Sequence, residues 1–208
     1  MLDRTTLIAH LQRPANDAAA LRPMLPYAVG GAPDRPLTAP PDAHPRRGAV
    51  LILLYPQPDD WYLPLTVRTT ALRQHSGEVS LPGGRYDDED GSLERTALRE
   101  AEEELGISTA AIEVVATLLP FWIPVSNFTI LPVVGLTAEC PHFSPARAEV
   151  ALLLEAALTT LCAPATRQTR VREVRGQQFH APYFALHDHE VWGATALVLA
   201  QLVGRLAE

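Results

Sequence analysis

Cysteine is scarce in this chain: Cys140 and Cys162 are the only two, far apart and outside any C-x-x-C pattern. Neither a disulfide framework nor a thiolate zinc site can organise such a sequence. Both side chains are expected to be buried free thiols in a reducing compartment. A basic excess is lacking as well. The net charge of −7 argues against a nucleic-acid-binding surface. No apolar run reaches the length of a membrane span. Met1-Leu2-Asp3-Arg4 opens with charge rather than with the pattern of a signal peptide. The expectation is a soluble cytoplasmic protein with a small-molecule substrate and with neither membrane nor nucleic acid as partner. Its 208 residues suit one domain with a good core and an extension.

Residues 1–45 stand apart in composition. They hold eight of the 19 prolines, including Pro40-Pro41. Thr6 to Gln12 has the pattern of a short helix, with Leu7 and Leu11 on one face. Proline blocks helix interiors and removes backbone donors, so an extended arm is expected beyond it, packed over the domain or against the partner subunit of a homodimer. The domain proper is expected over 46–208. Gly48 to Tyr55 is a continuous apolar run, as in a strand buried on both faces. Trp61 to Val67 follows a Pro/Asp-rich turn and predicts a hairpin. Ile112–Leu119 and Thr129–Leu136 read as further strands around a loop at 120–127, in which Trp122 suits core packing better than substrate stacking. Glu190 to Val203 reads as a long apolar helix closing the core. His180, His187 and His189 precede it without the spacing of a zinc site.

The chemistry concentrates between residues 81 and 107. Leu81-Pro82-Gly83-Gly84 is a glycine turn, Asp87-Asp88-Glu89-Asp90 an acidic loop, and a helix follows with Ser92 as N-cap and Gly106 as its left-handed stop. Ala97, Leu98, Ala101 and Leu105 form the apolar stripe of this helix. At about 100° per residue, Glu100, Glu103 and Glu104 fall within one arc of roughly 100°. Carboxylates crowded in this way raise one another's proton affinity unless a cation sits among them. Hard oxygen ligands suit Mg²⁺ or Mn²⁺, which share their shells with water and phosphate oxygens. A surface helix rich in ion pairs has a similar composition, but the glycine pair before it and the glycine after it favour the metal-site reading.

At these residues the chain resembles the Nudix hydrolases, whose box runs G-x5-E-x7-R-E-U-x-E-E-x-G-U, with U aliphatic. Arg99, Glu100, Ala101, Glu103, Glu104, Gly106 and Ile107 match position for position. The first half departs from the box. Asp90 stands where Glu is expected, and eight residues rather than seven separate it from Arg99. The run Leu65 to Gly84 also resembles the signature of the coenzyme A pyrophosphatase branch, with Leu65, Thr66, Arg68, Leu72, Arg73, His75, Gly77, Pro82, Gly83 and Gly84 in register. Arg68 and Arg73 are permanently charged forks suited to phosphate oxygens. His75 either hydrogen-bonds substrate or braces the turn, and Gly83 and Gly84 let the backbone pass close to the metal helix.

The resemblance implies an α/β fold: a Nudix-type α/β/α sandwich with a mixed central sheet, the metal helix on one face and the C-terminal helix on the other. It further implies Mg²⁺ or Mn²⁺ held by Glu100, Glu103 and Glu104, with Arg99 orienting carboxylates and substrate at Arg68, Arg73, His75, Gly83 and Gly84. Glu103 and Glu149 are the candidates for general base. The implied reaction is hydrolysis of coenzyme A, or an acyl derivative, to 4′-phosphopantetheine and adenosine 3′,5′-bisphosphate. Two alternatives stand beside it. One is a Nudix hydrolase of ADP-ribose, NADH or a dinucleoside polyphosphate; the other is a non-catalytic nucleotide- or coenzyme A-binding module.

Overall fold

A strand that is apolar on both sides must be covered twice, and the fold is arranged around one such strand. The protein, a computed structural model describing residues 2–69, 77–174 and 176–207, begins with α1 (Arg4–Gln12), α2 (Asp17–Leu21) and β1 (Tyr27–Ala28). The central strand β2 (Arg46–Pro56) comes next, then β3 (Trp61–Arg68), β4 (Val79–Ser80), β5 (Gly83–Arg85) and α3 (Leu93–Leu105). Strands β6 (Glu113–Thr117), β7 (Phe121–Ile123), β8 (Phe128–Leu136) and β9 (Val150–Ala157) follow. The chain ends with α4 (Leu158–Cys162), β10 (Arg167–Val174), β11 (Gln177–Leu186), β12 (His189–Trp192) and α5 (Gly193–Leu206).

Strand β2 pairs in parallel with β8, from Arg46 opposite Phe128 to Leu54 opposite Leu136. Parallel neighbours need a crossover, and α3 lies within the one that joins them. The other pairings of this eight-stranded sheet are antiparallel, in the order β4-β3-β2-β8-β6, with β5 on β2, β7 on β8 and β9 on β3. Successive side chains of a strand point to opposite faces. Ala49, Leu51, Leu53 and Tyr55 therefore pack with Ala97, Ala101 and Leu105 of α3. Ile52 and Leu54 enter the opposite core, which holds Leu197, Val198 and Leu202 of α5. This is the expected α/β/α sandwich.

Three stretches differ from the sequence reading. Glu190, Val191 and Trp192 belong to β12, not to the terminal helix. Val191 lies opposite Phe184, both fully buried, and Gly193 at φ +64° turns the chain from strand into α5. Residues 150–186, to which the sequence reading assigned no element, carry three strands. Of these, β10 and β11 form a second, four-stranded sheet with β1 and β12. Part of the expected loop at 120–127 is strand β7, which sinks Phe121 completely; Trp122 is braced by the Asn127 side chain at 3.0 Å.

The N-terminal stretch is more helical than its prolines suggest. Leu7, Leu11, Leu21 and Leu25 are fully buried in the core shared with α5. Asp17 and Arg205 join the two ends of the chain through a buried, two-pronged ion pair, with Nε–Oδ1 and NH2–Oδ2 both 2.7 Å. Arg205 also donates to the Leu11 carbonyl at 2.9 Å. Cys140 is exposed rather than buried, Cys162 is half-buried, and both are free. The histidines serve separate ends: His180 stacks on Tyr27, and His187 meets the Glu155 carbonyl at 3.1 Å in a turn. Among the described residues no helix is long and apolar enough to cross a membrane.

Removing one partner of a buried ion pair strands the other charge. Asp17→Ala should cost about 3–5 kcal/mol in urea denaturation. A loss below about 1 kcal/mol would show that water reaches Arg205 freely.

Candidate active site

Helix α3 sends its carboxylates in two directions. Ser92 caps the start, accepting from the Arg95 N–H, and Gly106 ends the helix at φ +64°. A side chain at Gly106 would meet the Ser144 carbonyl oxygen at 2.6 Å, so close approach as well as backbone angle demands glycine there. Ala97, Ala101 and Leu105 anchor one face in the core. Glu104, on an adjoining face, is only 4 % exposed, and its Oε2 has no hydrogen-bond partner. The Gly83 N–H faces the same carboxylate. Glu100 lies against Gly84 so closely that a Cβ there would fall 2.4 Å from the carboxylate. Glu103 points outward.

The chain segment after β8 is fastened to the free carbonyls at the end of α3. Ser144 N–H donates to Leu105 at 2.7 Å and Ala146 N–H to Glu104 at 2.9 Å. This brings Glu149 beside the helix. Its carbonyl accepts from the Thr69 N–H at 2.9 Å, and a register shift between Val67 and Arg68 sets Arg68 opposite Val150. Arg68, Glu100, Glu104 and Glu149 thus stand near one another, contributed by β3, α3 and the approach to β9. Burial pushes the Glu104 carboxyl up to about 7; the Arg68 charge and the Gly83 N–H oppose the shift, while Glu100 and Glu149 add to it. Burial also raises Glu100, against the pull of Arg99 and with help from Glu103 and Glu149. The last turn of α3 carries no basic side chain, so the negative helix end faces the carboxylates uncompensated.

Arg99 is the hub of the outward-facing group. Its Nε and NH2 bind the two oxygens of Asp90 at 2.8 and 3.2 Å. NH1 reaches Glu100 at 2.9 Å and Glu103 at 3.0 Å, and NH2 also donates to the Arg85 carbonyl. Asp90 is buried and accepts in addition from Thr96 Oγ1 at 2.7 Å and from the Asp87 N–H at 3.1 Å. Hydrogen bonding from Arg99 holds its carboxyl well below the usual carboxylate range. The extra residue in the acidic loop is taken up by a 3₁₀ turn at Asp88–Asp90, with Gly91 at φ +71°. Asp90 therefore holds Arg99 in place, a part that the sequence alone left open.

Of the site residues read from sequence, Arg68, Gly83, Gly84, Glu100, Glu104 and Glu149 are brought together. Glu103 is 59 % exposed and turned to Arg99 instead. Arg73 and His75 lie outside the described residues. Among the described residues no three carboxylate, imidazole or thiol groups converge at ligand spacing. The unpartnered buried oxygen of Glu104 and the raised proton affinities of Glu100 and Glu104 still describe a donor set that Arg68 and Arg99 compensate only in part. A hard divalent cation fits that need.

The sign of the pH effect follows. A carboxyl whose pKa is raised by folding stabilises the protein only while protonated, so stability falls as pH rises from about 4.5 through about 7. With chelator present, Glu104→Gln should be more stable than the parent above pH 7, by roughly 3 kcal/mol. The difference should vanish below pH 4.5. Equal stability of the two proteins at pH 8 would mean that Glu104 ionises there without penalty.

Comparison with known proteins agrees with this architecture. The family profile described as "NUDIX domain" matches residues 45–160. A protein of Pectobacterium atrosepticum, "Uncharacterized Nudix hydrolase NudL", is 39% identical over 177 residues, covering 83% of this chain and 91% of its own length. "Nudix hydrolase 15, mitochondrial" of Arabidopsis thaliana is 37% identical over 172 residues and 79% of this chain. The match spans only 60% of that plant protein. Among solved structures, a MutT/nudix family protein from Enterococcus faecalis aligns over 100% of this chain and 75% of its own, with TM-score 0.53 at 16% identity, a likeness of fold. With the profile covering more than half of the sequence and a bacterial relative of nearly matching extent, the chain belongs to the Nudix family.

Proposed function

We infer that the protein is a divalent-metal-dependent pyrophosphohydrolase acting on coenzyme A or its acyl derivatives, releasing 4′-phosphopantetheine and adenosine 3′,5′-bisphosphate. The observation that carries the phosphate chemistry is the buried Glu104 carboxylate, short of a partner and crowded by Glu100 and Glu149. Glu100, Glu103 and Glu104 would hold Mg²⁺ or Mn²⁺, Glu103 by leaving its exposed contact with Arg99. When bound, the ion neutralises the diphosphate and acidifies a water molecule. Glu149, near enough to Glu100 and Glu104 to raise both, receives the proton of the attacking water at its carboxylate. Arg68 offers its guanidinium to a diphosphate oxygen. Arg99 touches no reacting atom in this scheme and positions Glu100 through the bonds that Asp90 fixes.

The choice of coenzyme A rests on the resemblance of Leu65 to Gly84 to the branch signature. Its described parts run along β3 into Thr69 and resume at Gly77, ending in the turn that presses Gly83 against Ala49 and Val50. The signature's Arg68 is the cation whose charge opposes the shift of the buried Glu104 carboxyl.

Product analysis tests both halves of the reading. Incubation with Mg²⁺ or Mn²⁺ should yield adenosine 3′,5′-bisphosphate from coenzyme A, and chelator should stop it. Cleavage of ADP-ribose, NADH or a diadenosine polyphosphate alone would retire the coenzyme A assignment and keep the metal helix. Glu104→Gln should lower kcat/KM about a thousandfold, close to 4 kcal/mol of transition-state stabilisation, with an unchanged circular dichroism spectrum. An active Glu104→Gln enzyme in excess metal would refute the metal assignment.

A further inference from the structure

The carboxylate that holds Arg99 must itself be held. The last torsion of an aspartate side chain has a broad, two-fold profile, so the carboxyl group turns easily unless its surroundings fix it. At Asp90 four hydrogen bonds do so. Oδ1 accepts from Arg99 Nε at 2.8 Å; Oδ2 accepts from Thr96 Oγ1 at 2.7 Å, the Asp87 N–H at 3.1 Å and Arg99 NH2 at 3.2 Å. The Thr96 bond is the shortest of these, and Thr96 is fully buried. Position 96 falls in the spacer of the Nudix box between Asp90 and Arg99, so the motif assigns this hydroxyl no part.

The helix dictates where the hydroxyl points. Arg99 and Glu100 stand three and four residues beyond Thr96 on α3, so all three share one side of it. A helical threonine has two usable rotamers, and its hydroxyl can reach a carbonyl three or four residues back. Thr96 Oγ1 lies 3.2 Å from the Ser92 carbonyl oxygen. A hydroxyl has one proton to give, and the closer, charged acceptor at Asp90 takes it. Asp90 is thus clamped between Thr96 and Arg99. Arg99 in turn reaches Glu100 at 2.9 Å, and Glu100 rests against the bare backbone of Gly84. The carboxylates of this relay are sheltered, the Asp90 side chain being 5 % and that of Glu100 18 % exposed. Water competes little with bonds so placed.

We propose that Thr96 is a positioning residue, whose hydroxyl locks Asp90 and, through Arg99, the Glu100 carboxylate. The proposal rests on the metal reading for what Glu100 then holds, a hard divalent cation. In that reading Glu103 leaves Arg99 when the cation binds, so the hold on the guanidinium passes to Asp90 and Glu100. Without the Thr96 hydroxyl, Asp90 is free to turn, one prong of its pair with Arg99 opens, and Glu100 loses its fixed direction. The cost falls on affinity for the cation, as it does when the outer partners of metal ligands are removed.

The test compares the parent with Thr96→Val, which replaces the hydroxyl by a methyl group, Thr96→Ser, which keeps it, and Thr137→Val. Thr137, at the Leu136 end of β8, is similarly buried and bonds the Glu139 carbonyl at 2.8 Å, and so controls for loss of a buried hydroxyl. Binding of Mn²⁺, read from the electron paramagnetic resonance signal of the free ion, should weaken about tenfold in Thr96→Val. It should stay within about twofold in the other two variants. Should Thr96→Val not fold, Thr96→Ala takes its place, since alanine suits a helix interior. Unchanged Mn²⁺ affinity in the variant lacking the hydroxyl, or an equal loss in Thr137→Val, would overturn the proposal. Nitrogen-15 NMR without metal supplies a readout independent of the cation. The Arg99 Nε–H should exchange slowly with water in the parent and in Thr96→Ser, and at least tenfold faster in Thr96→Val. If the parent binds no Mn²⁺, the metal reading fails, yet this difference in exchange would still uphold Thr96 as the residue that holds Arg99. Equal exchange in parent and Thr96→Val would overturn it.

Discussion

The parallel pairing of β2 with β8 governs this molecule. A strand whose residues from Ala49 to Tyr55 are nearly all buried cannot rest on one neighbouring layer. It calls for apolar cover on both sides, and the two covers are different in kind. On one side α3 supplies alanine as much as leucine, so the helix lies close enough for its carboxylates to reach the backbone of the glycine turn. On the other side α5 is apolar over most of its length and is itself buried, which moves the need for a polar boundary one layer out. Helices α1 and α2 meet that need, with the Asp17–Arg205 pair at the contact. The N-terminal stretch is therefore part of the second core.

The same arrangement generates the electrostatics of the site. Carboxylates in the last turn of a helix oppose the helix dipole, and burial makes the opposition stronger. Two devices keep the arrangement intact without removing the charge. Arg99 draws off part of the field of Glu100 and Glu103 while being held by Asp90, and the backbone N–H of Gly83 faces Glu104. What is left over, at Glu104, is the property that makes this part of the molecule receptive to a cation.

Much of this was legible in the sequence because local rules and the motif agreed. Ser92, Gly106 and the apolar stripe of α3 follow from capping and periodicity, and the structure places the helix between them. The two-faced strand was readable from its unbroken apolar run. Other parts were not readable, for definable reasons. Strand β9 is built from alanine and leucine, which carry no strand preference, and its identity comes from pairing with β3. Strand β10 is rich in arginine and lies in an outer sheet, so no apolar pattern marks it. The strand β12 shares its apolar character with α5, and only the left-handed turn at Gly193 divides them. Within the site, the inward turn of Glu104 and the outward turn of Glu103 differ by one helical position. Sequence spacing groups them, whereas the Arg99 hub separates them.

Strand order in time has a bearing on strand β2. During synthesis β2 and β3 appear early, but the partner that flanks β2 in parallel ends at Leu136 and its second apolar cover lies in the last helix of the chain. Contacts between such distant segments form slowly. Until they do, a stretch from Ala49 to Tyr55 with unpaired backbone and exposed leucines is a template for pairing with other chains. The interval between release of β2 and arrival of β8 and α5 is thus one in which chaperone protection counts, because β5, laid along the start of β2 by the Gly83-Gly84 turn, covers only the opposite edge of the strand.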